Sequence, residues 1–334
     1  MQIKEYYIAT PAYNESRNIG AYFRSVVRAV RFANSQFTLM GTYICVNGCT
    51  DDTKVLIQRY SKRYPFLKVR LLESDKGMNR ALDRIMEEVQ QENTPIVKID
   101  ADVRVDNKSI AILIRELQDH PNLQVVGAHP QARYYKGKNL YKRILTHILD
   151  VRSRYPLSQI AVYDVSKFHQ TAVTSPQPLV PVYFELRSRI YFHGRFYAIR
   201  NKQLWRVPPT RIGDDTYLTL DVYNRFGYDS IRLRYDAVCT YNPSTSLRFH
   251  WRVYKRIFCD TYTLSDLPEF NNQKIREILK MEAVKLDWKY IRSLPLSVQL
   301  SFHAYNLVKK VNHFLFKLSP KYSDSLWTYK VKTS

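Results

Sequence analysis

The sequence has no apolar run approaching the roughly 18 residues that a membrane-crossing helix needs. Its opening residues, MQIKEYYIAT, lack the apolar stretch and small-residue cleavage site of a secretory leader, so the expectation is a cytoplasmic protein. Four cysteines, Cys45, Cys49, Cys239 and Cys259, are too few and too scattered for a disulfide framework. The Cys45/Cys49 pair also has the wrong spacing for zinc, and all four read as reduced and structural. There is no internal repeat and no low-complexity linker. Acidic residues are scarce: 30 Asp and Glu stand against 52 Lys and Arg, a net charge of +22. Such an excess favours polyanionic partners, whether nucleic acid, an anionic membrane surface or phosphorylated substrates. It is clustered, with seven basic residues and one acid between Arg133 and Arg154.

The first half of the chain alternates short strand-like runs with amphipathic helical patterns. Strands are predicted at Glu5–Thr10, Thr42–Val46, Val69–Leu72 and Ile96–Ile99. Between them, Ile19, Tyr22, Phe23, Val26, Val27 and Val30 mark one helical face, Asp52–Tyr64 reads as a second helix, and Leu82, Ile85, Met86 and Val89 mark a third. This alternation predicts βαβ units and a mainly parallel sheet, the α/β class. In such sheets ligands gather at the carboxyl ends of the strands. The polar clusters stand at those ends: Pro11 to Glu15, Asn47 to Asp52, Asp75 to Gly77, and Asp100 to Asp102. Four loops are therefore expected to converge on one crevice.

Two aspartates two positions apart, just past a buried strand, project to the same side of an extended chain. Asp100 and Asp102 so placed suit Mg²⁺ or Mn²⁺ shared with a diphosphate. A second acidic group, Gly213-Asp214-Asp215, precedes an apolar stretch that reads as a helix. One of its acids can cap the helix N-terminus while the other stays available as a general base.

With these residues in hand, the chain resembles family 2 glycosyltransferases of the GT-A fold over roughly residues 3 to 260. Ile8 to Glu15 is similar to that family's opening strand and nucleotide loop, and Val46 to Thr53 to its second loop. Lys76-Gly77 with Asn79 and Ala81 matches the third, Asp100-Ala101-Asp102 the metal motif, and Gly213-Asp214-Asp215 the acceptor-side acids. The resemblance implies a Rossmann-like nucleotide-binding sheet in residues 1–130, a fused acceptor-binding half in 131–260, and a C-terminal helical extension in 261–334. It implies that Pro11, Tyr13, Glu15, Asn47, Lys76 and Asn79 serve the donor nucleotide. Asn47 stands where many relatives carry an acid. Asp100 would reach the ribose or the metal, Asp102 would bind the metal, and Asp215 would be the base, with Asp214 as its neighbour and second choice. Arg248-Phe249-His250-Trp251-Arg252 preserves the character of a further diphosphate motif without its spacing, which assigns Trp251 and Arg252 to the phosphate side. His193, near the strand Phe196-Tyr197-Ala198-Ile199, is placed on an acceptor loop or beside the metal.

The activity so implied is transfer of a sugar from a nucleoside-diphosphate sugar, a UDP-sugar first, to an acceptor hydroxyl, with inversion and with Mn²⁺ or Mg²⁺ as cofactor. The acceptor would be lipid-linked or a growing glycan. A sugar nucleotidyltransferase would need a Gly-rich loop after the first strand, and there is no glycine before Gly20. A non-catalytic nucleic-acid- or membrane-binding protein on a degenerate form of the fold would account for the charge and leave the acids unexplained.

The tail, Leu294 to Leu318, reads as one long helix. Leu296, Leu300, Ala304, Leu307, Val311, Phe314 and Leu318 form one stripe, with Phe302, Tyr305 and Phe316 on the opposite side and Lys309, Lys310 and Lys317 near the edges. One apolar side is explained by docking on the protein's own core. Two exceed that need, and the surplus predicts peripheral contact with the inner face of the cell membrane, or self-association.

Overall fold

Glu5–Ala12 forms strand β1, and all of its residues after Glu5 are buried, as expected for a strand covered on both faces. In this computed structural model the described residues are 2–155, 159–161, 192–209, 211, 213–264, 267–271 and 284–318. They fall into two units, the first made of Met1–Gln131, Ala161–Tyr241 and Asn272–Val284, the second of Ala132–Ile160, Asn242–Asn271 and Lys285–Ser334.

In the first unit, β1 leads through helix α1 (Ile19–Ala33) to strand β2 (Thr38–Asn47). The helix buries the expected face of Ile19, Tyr22, Phe23, Val26, Val27 and Val30. Strand β2 begins four residues earlier than the local pattern predicts. Parallel pairing with β1 from Glu5↔Thr38 onward carries it through an irregularity between Tyr6 and Tyr7, which a period-two pattern cannot register. Helix α2 (Thr53–Arg63), strand β3 (Val69–Ser74), helix α3 (Met78–Glu88) and strand β4 (Ile96–Ile99) follow. Next come β5 (Arg104–Val105), helix α4 (Ser109–Asp119) and β6 (Val125–Ala132).

Strands β1, β2, β3 and β4 pair in parallel. The later strand β8 (Phe196–Ile199) lies antiparallel between β4 and β6. With β9 (Ile231–Tyr241) the eight-stranded order is β3-β2-β1-β4-β8-β6-β9-β5. This is the α/β class expected, with the first four strands parallel and β8 antiparallel to both its neighbours. Helix α7 (Asp214–Phe226) precedes β9 and buries Tyr217, Leu218, Leu220, Val222 and Tyr223. Two short strands, β7 (Gln159–Ala161) and β10 (Val284–Leu286), pair as a separate sheet.

The described helices of the second unit are α5 (Leu140–Leu149), α6 (Val151–Arg154), α8 (Leu247–Leu264), α9 (Trp288–Ile291) and α10 (Leu296–Leu318). Its core gathers Val151, Ile291 and Phe302, with Tyr155, Trp288, Leu294, Val298 and Tyr305 packed against it. Arg152 Nη1 donates to Tyr305 Oη at 2.7 Å, tying α6 to α10. The side of α10 that docks is therefore the one carrying Phe302, Tyr305 and Phe316. On the opposite side Leu296, Leu300, Leu307, Val311 and Phe314 of the longer stripe are exposed. No helix among the described residues is long and apolar enough to cross a membrane.

Candidate active site

The loops after β1 and β2 are stapled by the side chains of their own motifs. Asn14 takes a left-handed conformation (φ 54°), which a short polar side chain tolerates better than most. Its Oδ1 accepts from Thr50 N at 2.8 Å and its Nδ2 donates to Thr50 Oγ1 at 3.2 Å. Cys49 donates to the carbonyl of Ala12 and accepts from Asn14 N, each at 3.3 Å. Asp51 accepts from Ser16 N at 3.1 Å and from Thr53 Oγ1 at 2.5 Å. Asn14, Cys49, Asp51 and Thr53 are in this sense structural. Of the cysteines, Cys45, Cys49 and Cys239 are free thiols.

This staple leaves the expected nucleotide-side groups around it. Asn47, at the end of β2, is buried, and its Oδ1 has no protein partner. A buried acceptor left open is costly unless a ligand or water completes it. Lys76 Nζ lies 5.0 Å from the centroid of the Tyr13 ring. Gly48 makes that approach possible: it has φ +72°, and a Cβ there would meet Lys76 Cβ at 3.3 Å. Glu15 anchors its backbone N–H on Thr53 Oγ1 at 2.7 Å and accepts from Asn18 Nδ2 at 2.7 Å. Burial pushes its carboxyl up to about 8, with Asn18 opposing and the charges of Asp102, Asp100 and Asp51 adding to the rise. Pro11 is within β1, opposite Cys45. Asn79 is turned elsewhere, its Nδ2 donating to the carbonyl of Arg211 at 2.8 Å, so it holds the segment that leads into α7.

The acids expected to bind metal and to act as base meet through β8. Strand β8 pairs antiparallel with β4, and the ladder continues past it, with Asp100 N donating to the carbonyl of Arg195 at 2.9 Å. That pairing sets Gly194 beside the acids of α7. Asp215 Oδ2 accepts from Gly194 N and its Oδ1 from Thr216 N, both at 2.9 Å. A Cβ on Gly194 would stand 3.1 Å from Asp214 Oδ1 and 3.1 Å from Asp215 Oδ2, so any side chain there would crowd both acids. Asp214 is buried and accepts from Tyr197 Oη at 3.3 Å, whereas Asp215 is partly exposed.

One residue of this cluster went unassigned in the sequence. Lys98, in the middle of β4, is buried and puts its ammonium 2.5 Å from Asp100 Oδ1 and 3.6 Å from Asp214 Oδ2. It also donates to the carbonyl of Gly194. Burial alone would lower its pKa, and the charges of Asp100 and Asp214 outweigh that and raise it. The available signal was a charged side chain inside the otherwise apolar run Ile96-Val97-Lys98-Ile99, two positions before Asp100.

A single buried ammonium does not balance these acids. Burial raises the carboxyl of Asp100 to about 6; Lys98 opposes that rise, and Asp102 and Asp214 add to it. Asp214 is likewise raised by burial, opposed by Lys98 and reinforced by Asp215. A crowd of hard oxygens short of positive charge suits a divalent cation. Among the described residues no three or more His, Cys, Asp or Glu side chains are grouped to hold a metal by themselves. Mg²⁺ and Mn²⁺ commonly take one or two carboxylates and fill their shell with water and phosphate oxygens.

Of the remaining expected residues, His193 is exposed, next to Gly194. Trp251 and Arg252 lie on α8 in the second unit, where Trp251 stacks on Tyr254 at 6.0 Å and Lys255 Nζ lies 5.6 Å from the Trp251 ring.

Solved structures with the same fold include a mannosyltransferase from Pyrobaculum calidifontis in complex with GDP-Man and Mn²⁺. It is 16% identical, with a TM-score of 0.55 over 96% of this chain and 82% of that one. A mycobacterial protein is 15% identical, with a TM-score of 0.50 over 79% of this chain and 76% of that one. A glucosyl-3-phosphoglycerate synthase from Mycobacterium tuberculosis, in complex with Mn²⁺, UDP-glucose and phosphoglyceric acid, is 16% identical with a TM-score of 0.49 over 79% and 81%. Comparison with curated protein sequences gives no match. The model of glycosyl transferase family 2 matches residues 7–173, half of the chain, and the chain belongs to that family.

Proposed function

We propose that the protein transfers a sugar from a nucleoside-diphosphate sugar, with a UDP-sugar favoured, to an acceptor hydroxyl, with inversion at the anomeric carbon. The observation that carries this reading is the meeting of two acidic pairs across β4 and β8. Asp100 and Asp102 stand at the end of β4, Asp214 and Asp215 open α7, and Lys98 bridges them. One neighbour by fold, the mannosyltransferase from Pyrobaculum calidifontis, was solved with a nucleotide sugar and Mn²⁺, which agrees with this assignment.

In this reading Asn47 offers its open acceptor to the nucleobase, and Tyr13 and Glu15 line the nucleoside pocket. Lys76 and Asn79 complete the donor side, the first at the diphosphate and the second through the backbone it holds. Asp102 and Asp100 would hold Mn²⁺ or Mg²⁺. That cation supplies positive charge to the departing nucleoside diphosphate as the glycosidic bond breaks. Asp215, partly exposed and held by two backbone N–H groups, takes the acceptor proton. Asp214, buried between Lys98 and Tyr197, keeps the first turn of α7 in place. Sugar transfer passes through an oxocarbenium-like transition state, and one base acting on the face opposite the leaving group gives inversion. The acceptor is taken to be lipid-linked or a growing glycan, met in the cytoplasm.

The test is nucleoside diphosphate release from UDP-, GDP- and TDP-sugars with Mn²⁺, with Mg²⁺ and with chelator. Wild type should release one diphosphate in a chelator-sensitive way, and Asp102→Ala should not. If no donor turns over and neither nucleotide nor metal raises the melting temperature, the transferase reading fails.

A further inference from the structure

Helix α10 docks on its unit through Phe302, Asn312 and Phe316, all buried. On the opposite side Leu296, Leu300, Leu307, Val311 and Phe314 are between 46% and 70% exposed. At 100° per residue these five fall within one narrow arc, and they extend over about 27 Å of helix. Helix α5, which packs against α10, exposes three more large apolar side chains, Leu140, Tyr141 and Ile144. Isolated exposed leucines need no explanation, but a continuous row on one helix is a contact surface.

The charge around that row identifies what covers it. From Trp288 to Leu318 there are five Lys or Arg and no acid, and from Ala132 to Leu149 again five and none. Arg133, Lys136, Lys138, Arg143, Lys309 and Lys310 are exposed. A second copy of this chain would bring two such cationic faces together, which repel. A nucleic acid would use the cations and leave the leucines without apolar cover. Apolar side chains flanked by lysines and arginines match the layered chemistry of an anionic bilayer surface, with headgroup phosphates above and acyl chains below.

We propose that α10, with α5 beside it, is an in-plane membrane-docking surface for anionic lipid. Burying the five side chains in the interface holds the helix along the membrane plane, and Lys310 at the edge of the row, with the exposed cations on and before α5, reaches the headgroups. The surface stands by itself, whether or not the transferase reading holds.

Sedimentation of the full chain with phosphatidylcholine vesicles containing about one-third phosphatidylglycerol, at about 0.15 M salt, tests it. The wild type should sediment with these vesicles and remain in solution with pure phosphatidylcholine. The triple variant Leu300→Glu, Leu307→Glu, Phe314→Glu should bind at least tenfold more weakly with an unchanged melting temperature, since every replaced side chain is exposed. Lys310→Glu, at the edge of the row, should weaken binding roughly fivefold, and so should Arg143→Glu beside it on α5. Donor turnover without vesicles reads the catalytic crevice separately and should be unchanged in all of these variants. Wild type that ignores anionic vesicles, or a triple variant that binds like wild type, would overturn the proposal. So would a wild-type dimer that the triple variant dissolves, because the row would then be a self-association face.

Discussion

Lys98 and Asp100 stand two positions apart on β4 and form an ion pair of 2.5 Å, with the lysine side chain almost wholly buried. The same ammonium reaches Asp214 at 3.6 Å. A buried cation shared by two carboxylates is expensive to remove, because Asp214 is left buried with only the Tyr197 hydroxyl against its charge.

Lys98→Met should therefore destabilise the protein by about 3–5 kcal/mol. Urea unfolding measures this, and the double variant Lys98→Met, Asp214→Asn should recover part of the loss by removing one stranded charge. If the single variant is as stable as wild type, the bridge is not holding the acids together.

Asp215→Asn keeps the shape of the side chain and removes its ability to take a proton. Turnover should fall by about 10²–10⁴-fold with nucleotide binding close to wild type, and the unfolding midpoint should drop modestly, since the amide can no longer accept from both Gly194 N and Thr216 N. Asp214→Asn should instead lower stability, because it removes a buried charge that Lys98 needs. Steady-state kinetics beside thermal melts separate the two roles.

Gly194→Ala places a methyl group 3.1 Å from a carboxylate oxygen of each of Asp214 and Asp215. The acid pair must give by a few tenths of an ångström, and since a displacement on the order of 1 Å costs about 10²-fold in rate, a loss of up to about tenfold is expected. The variant should fold and turn over slowly, with donor affinity nearly unchanged. Comparing kcat with KM checks this.

Glu15 gives a pH signature. Its folded-state carboxyl is pushed up to about 8, well above the value of about 4.3 that it has in an unfolded chain. Between those values the folded state holds the extra proton, so stability falls as pH rises. Glu15→Gln removes the penalty. The variant should match wild type near pH 4 and gain on it steadily up to pH 8, by on the order of 2 kcal/mol after allowance for solvent screening. A constant difference across that range would mean that the carboxyl titrates normally.

Much of the first half of the chain was legible because its signals are local. The apolar face of α1 and the runs that became β1, β3 and β4 depend on spacing over a few residues, and they carry the polar loops to the same ends of their strands. The early start of β2 was hidden, because only pairing with β1 extends the strand through the irregularity near Gly41.

The chemistry of the crevice was legible as residue types and largely illegible as roles. Asn79 belonged to a recognisable motif, yet its amide is turned to the carbonyl of Arg211, more than a hundred residues away in the chain. Which of Asp214 and Asp215 is buried could not be read from two adjacent acids, since it depends on where Tyr197, Gly194 and Lys98 stand.

The sequence by itself determined the alternation of strands and helices, the four polar loops and the acidic motifs, because periodicity and turn chemistry act between near neighbours. Tertiary structure decided which apolar side of α10 is covered, since both sides are apolar and only the packing of Phe302 against Val151 and Ile291 distinguishes them. It also decided that Lys98 meets Gly194, 96 positions further along the chain. That contact depends on antiparallel pairing between β4 and β8, a long-range register that no local pattern encodes.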